Sequence, residues 1–297
     1  MNKKKSSLLG SMVILIAMLL VVYQNYNKQT TNINAKEEKL TDQLTSDTLN
    51  TKFWEPENTS MTKKPTYSVD KMEIPVVYHY AGGERMDRMG YTIYYDPEFK
   101  TPRWVAWEIT RNEAKSDNAQ RPTEFTPDPN IKGSKVFSQD YTRSGYDRGH
   151  MAPAGDMKWS SKSEEETFYM TNICPQNHEL NKGDWNDLEI QTRYWAKKYG
   201  KVWVCCGPIY KTKNPKRIGT HKVAVPDAFF KVVLFNKGKD NPVCVGFLFD
   251  NNASHKKMKD RAVSVDSVES LIGMDFFSYM PDEIENRIET KIPDIFH

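Results

Sequence analysis

An α+β fold is what this 297-residue chain predicts, on three observations. Runs of β-branched and aromatic residues mark short strands at 91–95, 103–109, 201–206, 228–235 and 243–249. Helical spacing governs 184–199 instead, where Trp185, Leu188, Trp195 and Tyr199 recur at near-helical intervals before Gly200, a natural helix stop. The strands also come in groups with helices inserted rather than in strict alternation, which argues against a parallel α/β sheet.

Taken in order, the chain opens on Met1-Asn2-Lys3-Lys4-Lys5 and an apolar run from Leu8 to Tyr23. A positive flank before an apolar stretch is the pattern of a secretory signal or signal anchor. The run falls short of the ~20 residues of a comfortable span. No Ala-x-Ala cleavage pattern follows, so residues 1–23 are expected to stay as an anchor, with cleavage the alternative. The catalytic part is then expected outside the cytoplasm, either membrane-anchored or secreted. Residues 24–65 are polar and aperiodic, a tether, and the folded domain is expected over 66–297. Between 110 and 140, Pro122, Pro127, Pro129 and Gly133 break any regular element. A short helix is expected at 164–170, and another opens near Ser264 or Asp266 as N-cap.

Composition excludes little but directs the search. Aromatic content of 12% with seven Trp argues for a packed body, and Trp104, Trp107, Trp185, Trp195 and Trp203 are expected in it. A net charge of +3 neither demands nor forbids a polyanionic partner. The cysteines are Cys174, Cys205, Cys206 and Cys244. Adjacent residues on a strand point to opposite faces, so Cys205 and Cys206 cannot readily share a metal. Buried thiols or disulfides both remain open. Neither Gly-x-Ser-x-Gly nor His-Glu-x-x-His occurs, which removes the main support for a serine hydrolase or zinc peptidase.

Two stretches carry chemistry. In Gly145-Tyr146-Asp147-Arg148-Gly149-His150-Met151-Ala152-Pro153, a histidine suited to proton transfer near neutrality follows a glycine, an arginine and an aspartate. The glycine would let backbone approach a substrate closely or take an unusual turn. In the run 171–189, Asn172, Asn177, Asn181, Asn186 and Glu189 crowd amide and carboxylate oxygens together, ligands that suit a hard cation such as Mg²⁺. On a helix, Asn181 and Glu189 would share a face, extended by Arg193 one turn on. Taken singly, Asn181 reads as a cap or solvated amide, and Glu189 with Arg193 as an ordinary surface pair. Of the remaining histidines, His79, His178, His221, His255 and His297, only His178 lies inside a motif. Lys211, Lys213, Lys216, Arg217 and Lys222 form a basic loop, solvated by default and a nucleic-acid-steering surface on the sharper reading.

Asp-Arg-Gly-His, followed about thirty residues later by Asn-x-x-Pro-Gln, Asn-x-Gly-x-Trp and Glu, resembles the signature of the DNA/RNA non-specific endonucleases of the ββα-metal type. Similarity continues through Trp104-Val105-Ala106-Trp107, Gly207-Pro208-Ile209-Tyr210 and Val225-Pro226-Asp227-Ala228-Phe229-Phe230-Lys231, and covers most of 75–280. The resemblance implies a ββα-metal fold, a central mainly antiparallel sheet flanked by helices. It implies His150 as general base, Asn181 as ligand of a single Mg²⁺ (or Mn²⁺), and Glu189 as the acid holding water at the metal. Arg193 would meet phosphate and Asn172 would line the site. Arg121 would contact the transition state, with Arg111 or Arg143 as alternatives. Asp147 and Arg148 would support and position the substrate. The implied partners are DNA and RNA, cut with little sequence preference to leave 5′-phosphate ends. The alternative is a nucleic-acid-binding module of the same fold without activity.

Overall fold

The computed structural model describes residues 71–77, 82–133, 135–238 and 241–296. All of them belong to one compact unit, Thr48–His297. The apolar run at 8–23 and the tether at 24–65 lie outside the described residues, as do His79 and His297.

A seven-stranded sheet organises the unit. Its strands are β2 (Glu84–Asp87), β3 (Thr92–Asp96), β4 (Thr101–Thr110), β7 (Lys201–Ile209), β10 (Ala228–Asn236), β11 (Pro242–Asp250) and β12 (Ala262–Val263). They lie in the order β12-β11-β10-β7-β4-β3-β2, with every neighbouring pair antiparallel. Smaller pairs flank it: β1 (Val76–Val77) with β13 (Met274–Asp275), β8 (Arg217–Ile218) with β9 (Val223–Ala224), and β5 (Asp147–His150) with β6 (Ile173–Gln176). The five strands expected from composition are present. The four-residue strands β5 and β6 were not legible, because their partners lie far apart in sequence and β5 is mostly polar.

Helices cover both faces. On one face lies α4 (Asn186–Tyr199), reached through α1 (Arg111–Lys115), α2 (Ser161–Thr167) and the single turn α3 (His178–Leu180). Val105, Trp107, Val204, Phe229, Val233, Phe235 and Phe247 meet Leu188 and Trp195 of α4 there in one core. α4 ends at Gly200, whose φ of 104° suits only glycine. Arg111 seals that end, donating to the carbonyls of Lys197 at 2.9 Å and Lys198 at 3.1 Å. Past α5 (Met258–Arg261), the opposite face receives α6 (Val265–Ile272) and α7 (Asp282–Glu289). There Gly246 is a necessity, since a Cβ would sit 2.6 Å from a Val268 methyl and 3.0 Å from the Ser264 carbonyl. Ser264 is the N-cap of α6, accepting from Ser267 N.

Of the five tryptophans expected in the core, Trp104, Trp107, Trp185 and Trp195 are buried, whereas Trp203 is half-buried beneath the Lys201 ammonium. All four cysteines are free, buried thiols, which closes the disulfide alternative. Cys205 and Cys206 do fall on opposite faces of β7.

Candidate active site

β5, β6 and the helical segment that follows form a compact ββα unit. Asp147 pairs with Gln176 and His150 with Ile173. Alternation along β5 sends Arg148 and His150 to one side, where both meet Phe125. Asp147 and Gly149 point the other way. Gly149 is indispensable because a Cβ would collide with the Gln176 side chain on β6. The close approach expected at this glycine is therefore to the chain's own neighbouring strand.

The His150 ring sits between Phe125, at 5.2 Å between centroids, and Phe168, at 4.9 Å edge-on. Its Nε2 is buried and has no hydrogen-bond partner. Burial, and then the positive charge of Arg121, push its pKa down to about 3. The imidazole is therefore neutral across the physiological range, with a lone pair held ready. Arg121 is exposed and lies over the Phe168 ring at 5.0 Å. The alternatives stand elsewhere. Arg111 is spent on α4, and Arg143 is an exposed residue with φ of 56° in the turn before β5.

Asn181 opens a wide π-type turn, Asn181–Trp185, that links α3 to α4. Gly183 breaks it with φ −103° and ψ −112°. The even helix expected at 184–199 thus starts at Asn186, and Asn181 stands before it. The Asn181 Nδ2 donates to Asp147 Oδ2 at 3.0 Å. A carboxylate accepts only from the NH₂ side of an amide, so Asp147 fixes the flip and leaves Oδ1 as the available donor oxygen. The same carboxylate oxygen meets His178 Nδ1 at 2.9 Å, which gives that histidine a positioning contact. Behind the turn, Asp184 is buried and accepts from Lys256 N at 3.0 Å and from Arg261 Nη2 at 3.0 Å, with His255 also against it. Asn251 accepts from Asn177 N at 2.7 Å and donates to the Pro175 and Pro226 carbonyls, anchoring β6 and α3 to the sheet.

Glu189 lies one floor below, among charges. Burial raises its pKa to about 7; Lys231 and Arg193 oppose the shift and Asp156 reinforces it. Burial also works against the charge on Arg193, but Asp156 outweighs it, with Nη1 donating to Asp156 Oδ1 at 2.7 Å. Asp156 in turn accepts from the Trp107 indole at 2.9 Å. Lys231, buried in β10, rests its ammonium 4.0 Å from the centre of the Trp185 ring. Trp185 is the joint of the unit. Its Nε1 donates to the His150 carbonyl at 3.2 Å and also reaches the Glu189 carboxylate.

Asn172 is fully buried and wholly engaged. Its Oδ1 accepts from Ala152 N, and its Nδ2 donates to the Ala152 and Thr167 carbonyls, each at 2.9 Å. It braces the segment after His150 from behind. Arg148 donates to the Ser138 carbonyl at 3.3 Å and lies over Phe125. Sequence reasoning overlooked Lys231 and Asp156. Lys231 was the findable one, as the single charge inside the apolar run of β10.

The basic loop adjoins this unit. Lys216 lies 4.9 Å from the ring of Tyr146, the residue preceding Asp147. Arg217 turns inward, donating to the carbonyls of Glu98 at 2.8 Å and Lys222 at 3.0 Å.

The family model described as DNA/RNA non-specific endonuclease matches residues 71–283. The chain is 33% identical over 234 residues to "Nuclease EXOG, mitochondrial" of Homo sapiens, covering 73% of this chain and 64% of that one. It is 36% identical over 212 residues to the protein of the same name from Xenopus laevis, covering 66% and 59% respectively. To "Endonuclease G, mitochondrial" of Homo sapiens it is 34% identical over 157 residues, covering 50% and 53%. The chain therefore spans between about half and two thirds of the length of these relatives. Among solved structures, a crystal structure of the EndoG/EndoGI complex aligns with TM-score 0.63 and 31% identity, over 67% of this chain and 87% of that one. The fold expected from the resemblance, a ββα unit on a central antiparallel sheet, is the one found. The expected export and membrane anchoring are corrected: these relatives are named as mitochondrial nucleases, and no helix among the described residues is long and apolar enough to cross a membrane.

Proposed function

This chain belongs to the DNA/RNA non-specific endonuclease family, and on that premise we propose that it is a metal-dependent endonuclease hydrolysing phosphodiester bonds of DNA and RNA with little sequence preference. The observation that carries the reading is the ββα unit itself. It presents a buried, neutral His150 with an unpartnered Nε2 and an Asn181 whose carbonyl oxygen Asp147 leaves available.

The donor set fits a hard divalent ion. An amide oxygen, oriented by a carboxylate behind it, suits Mg²⁺ or Mn²⁺, which keep most of their water and need few protein ligands. Asn181 would hold the ion, which when bound neutralises charge developing on the phosphate. His150 Nε2 accepts a proton from the attacking water. The new P–O bond forms in line with the departing 3′ oxygen. The bond between phosphorus and the 3′ oxygen breaks, the 3′ oxygen leaves and takes up a proton, and the phosphate stays on the 5′ end.

Arg121, exposed beside His150, is the guanidinium with room to meet phosphate and stabilise the transition state. Arg193, committed to Asp156, acts through its field and through Glu189. Glu189 orders water beside the metal turn. Asn172 holds the Ala152 segment, and with it the end of β5. Asp147 orients Asn181, and Arg148 borders the substrate path over Phe125. Contacts of this kind grip backbone rather than base edges, which accounts for the low sequence preference.

The test is digestion of supercoiled plasmid and of single-stranded RNA with Mg²⁺, with and without chelator, by the parent protein and by His150→Ala. Cleavage that needs the metal and His150, with 5′-phosphate on the new ends, is the expected result. Tight DNA binding with no cleavage under any divalent cation would instead identify a binding module of the same fold.

A further inference from the structure

On the face of the sheet away from α4, Asp266 and Glu269 of α6 and Glu289 of α7 bring one carboxylate oxygen each to within 4.8 Å of one another. Asp266 and Glu269 stand one turn apart on the same helix face. Glu289 is the last residue of its helix. A carboxylate there opposes the helix dipole. It is 3% exposed, and its Oε1 has no hydrogen-bond partner. The charged groups that act most strongly on it are all acids: Glu269, Glu285, Asp266 and Asp275. The Glu269 carboxylate accepts from the Phe276 N–H at 2.7 Å.

Like charges this close in a poorly solvated place require a proton or a cation between them. Oxygens drawn from two helices, one of them from a buried carboxylate that carries an unpartnered oxygen, form the donor set of a hard ion rather than of a thiophilic one. We propose that Asp266, Glu269 and Glu289 form a second divalent-cation site, selective for Ca²⁺, Mg²⁺ or Mn²⁺, that fastens α7 to α6 across β11. The site is separate from Asn181, since α6 and α7 cover the sheet face opposite α4. Its ion is structural: the neighbouring Cys244 thiol is buried and held protonated by burial and by these same acids.

Mn²⁺ is the probe, because electron paramagnetic resonance counts bound and free ion without reference to activity. Metal-free full-length protein is expected to bind about two equivalents of Mn²⁺, and Asn181→Ala about one. In Asn181→Ala, saturating Mn²⁺ should still raise the unfolding temperature. The double variant Glu269→Gln/Glu289→Gln should lose one equivalent while keeping its metal-dependent cleavage, and the same two changes added to Asn181→Ala should abolish the rise. Should the double variant fail to fold, Asp266→Asn, on the partly exposed first turn, is expected to weaken the Mn²⁺ site roughly tenfold with unchanged circular dichroism. The proposal is overturned if Asn181→Ala binds no Mn²⁺, or if the carboxamide variants bind as much as the parent. It is equally overturned if they are simply more stable than the parent with and without metal, which would make the cluster a set of carboxylates sharing protons.

Discussion

Trp185 donates its indole N–H to the main-chain carbonyl of His150 at 3.2 Å, from the last position of the turn that Asn181 begins. The strand carrying the proposed base and the turn carrying the proposed metal ligand are thereby one rigid piece. Trp185→Phe keeps an aromatic ring against Phe229 and Phe249 and removes only the donor and part of the packing. The expected cost is about 1 kcal/mol in unfolding free energy, with a disproportionate fall in kcat. A loss confined to stability, with kcat intact, would show that the tie does not position the site.

The buried Nε2 of His150 has no hydrogen-bond partner, an arrangement that costs stability. His150→Phe should lower cleavage by roughly 10²–10⁴-fold. The same change removes an unsatisfied buried polar atom, so the unfolding free energy should stay level or rise, by up to about 1–3 kcal/mol. Parallel nuclease assays and urea titrations check both halves.

Asn172 should behave in the opposite manner. Asn172→Ala breaks three hydrogen bonds and leaves Ala152 N–H and two carbonyls unpaired in a dry interior. A loss of about 3 kcal/mol is expected, read from chemical denaturation. Activity in the folded fraction should fall much less than for His150→Phe.

Asp147→Asn tests how Asn181 is aimed. An amide at position 147 can no longer force the Asn181 NH₂ group towards itself, and the contact with His178 weakens too. The Mg²⁺ concentration for half-maximal cleavage should rise by roughly 10–100-fold, with little change in rate at saturating metal.

The acid at position 189 links the site to pH. Its folded pKa of about 7 lies above the ordinary 4.5, so between those values the folded state holds a proton that the unfolded state has lost. This contribution is complete below pH about 4.5 and disappears as the pH rises through about 7. Stability should therefore fall across that window, and Glu189→Gln should remove part of the fall, on the order of 1–3 kcal/mol after allowance for partial exposure. Unfolding free energies at pH 5 and pH 8 for both proteins measure the difference.

Much of the fold was legible because its signals are local. The long strands β4, β7, β10 and β11 are dense in β-formers, and Gly200 marks the end of α4. The ββα unit was legible only through its motif. Neither Asp147–His150 nor Ile173–Gln176 is apolar or long enough to announce a strand, and their pairing spans more than twenty residues. Site geometry depended on contacts that no spacing reveals. Asn181 and Glu189 do not share one regular helix, because the π-type turn comes between them. Asn172 looked like a lining residue and is a brace. Lys231 and Asp156 become part of the site only when β10 and the segment after His150 fold against Trp185 and Arg193.

The four thiols have a further consequence. Cys174, Cys205, Cys206 and Cys244 are at most 1% exposed and uncrosslinked. No covalent staple holds this fold, so the redox poise of its surroundings should leave its architecture untouched until the interior opens. Each thiol is then a silent clock. Cys174 and Cys206 are set on the α4 side of the sheet, and Cys205 and Cys244 on the side of α6 and α7. The order in which a small alkylating reagent reaches them would tell which wall of the molecule breathes first.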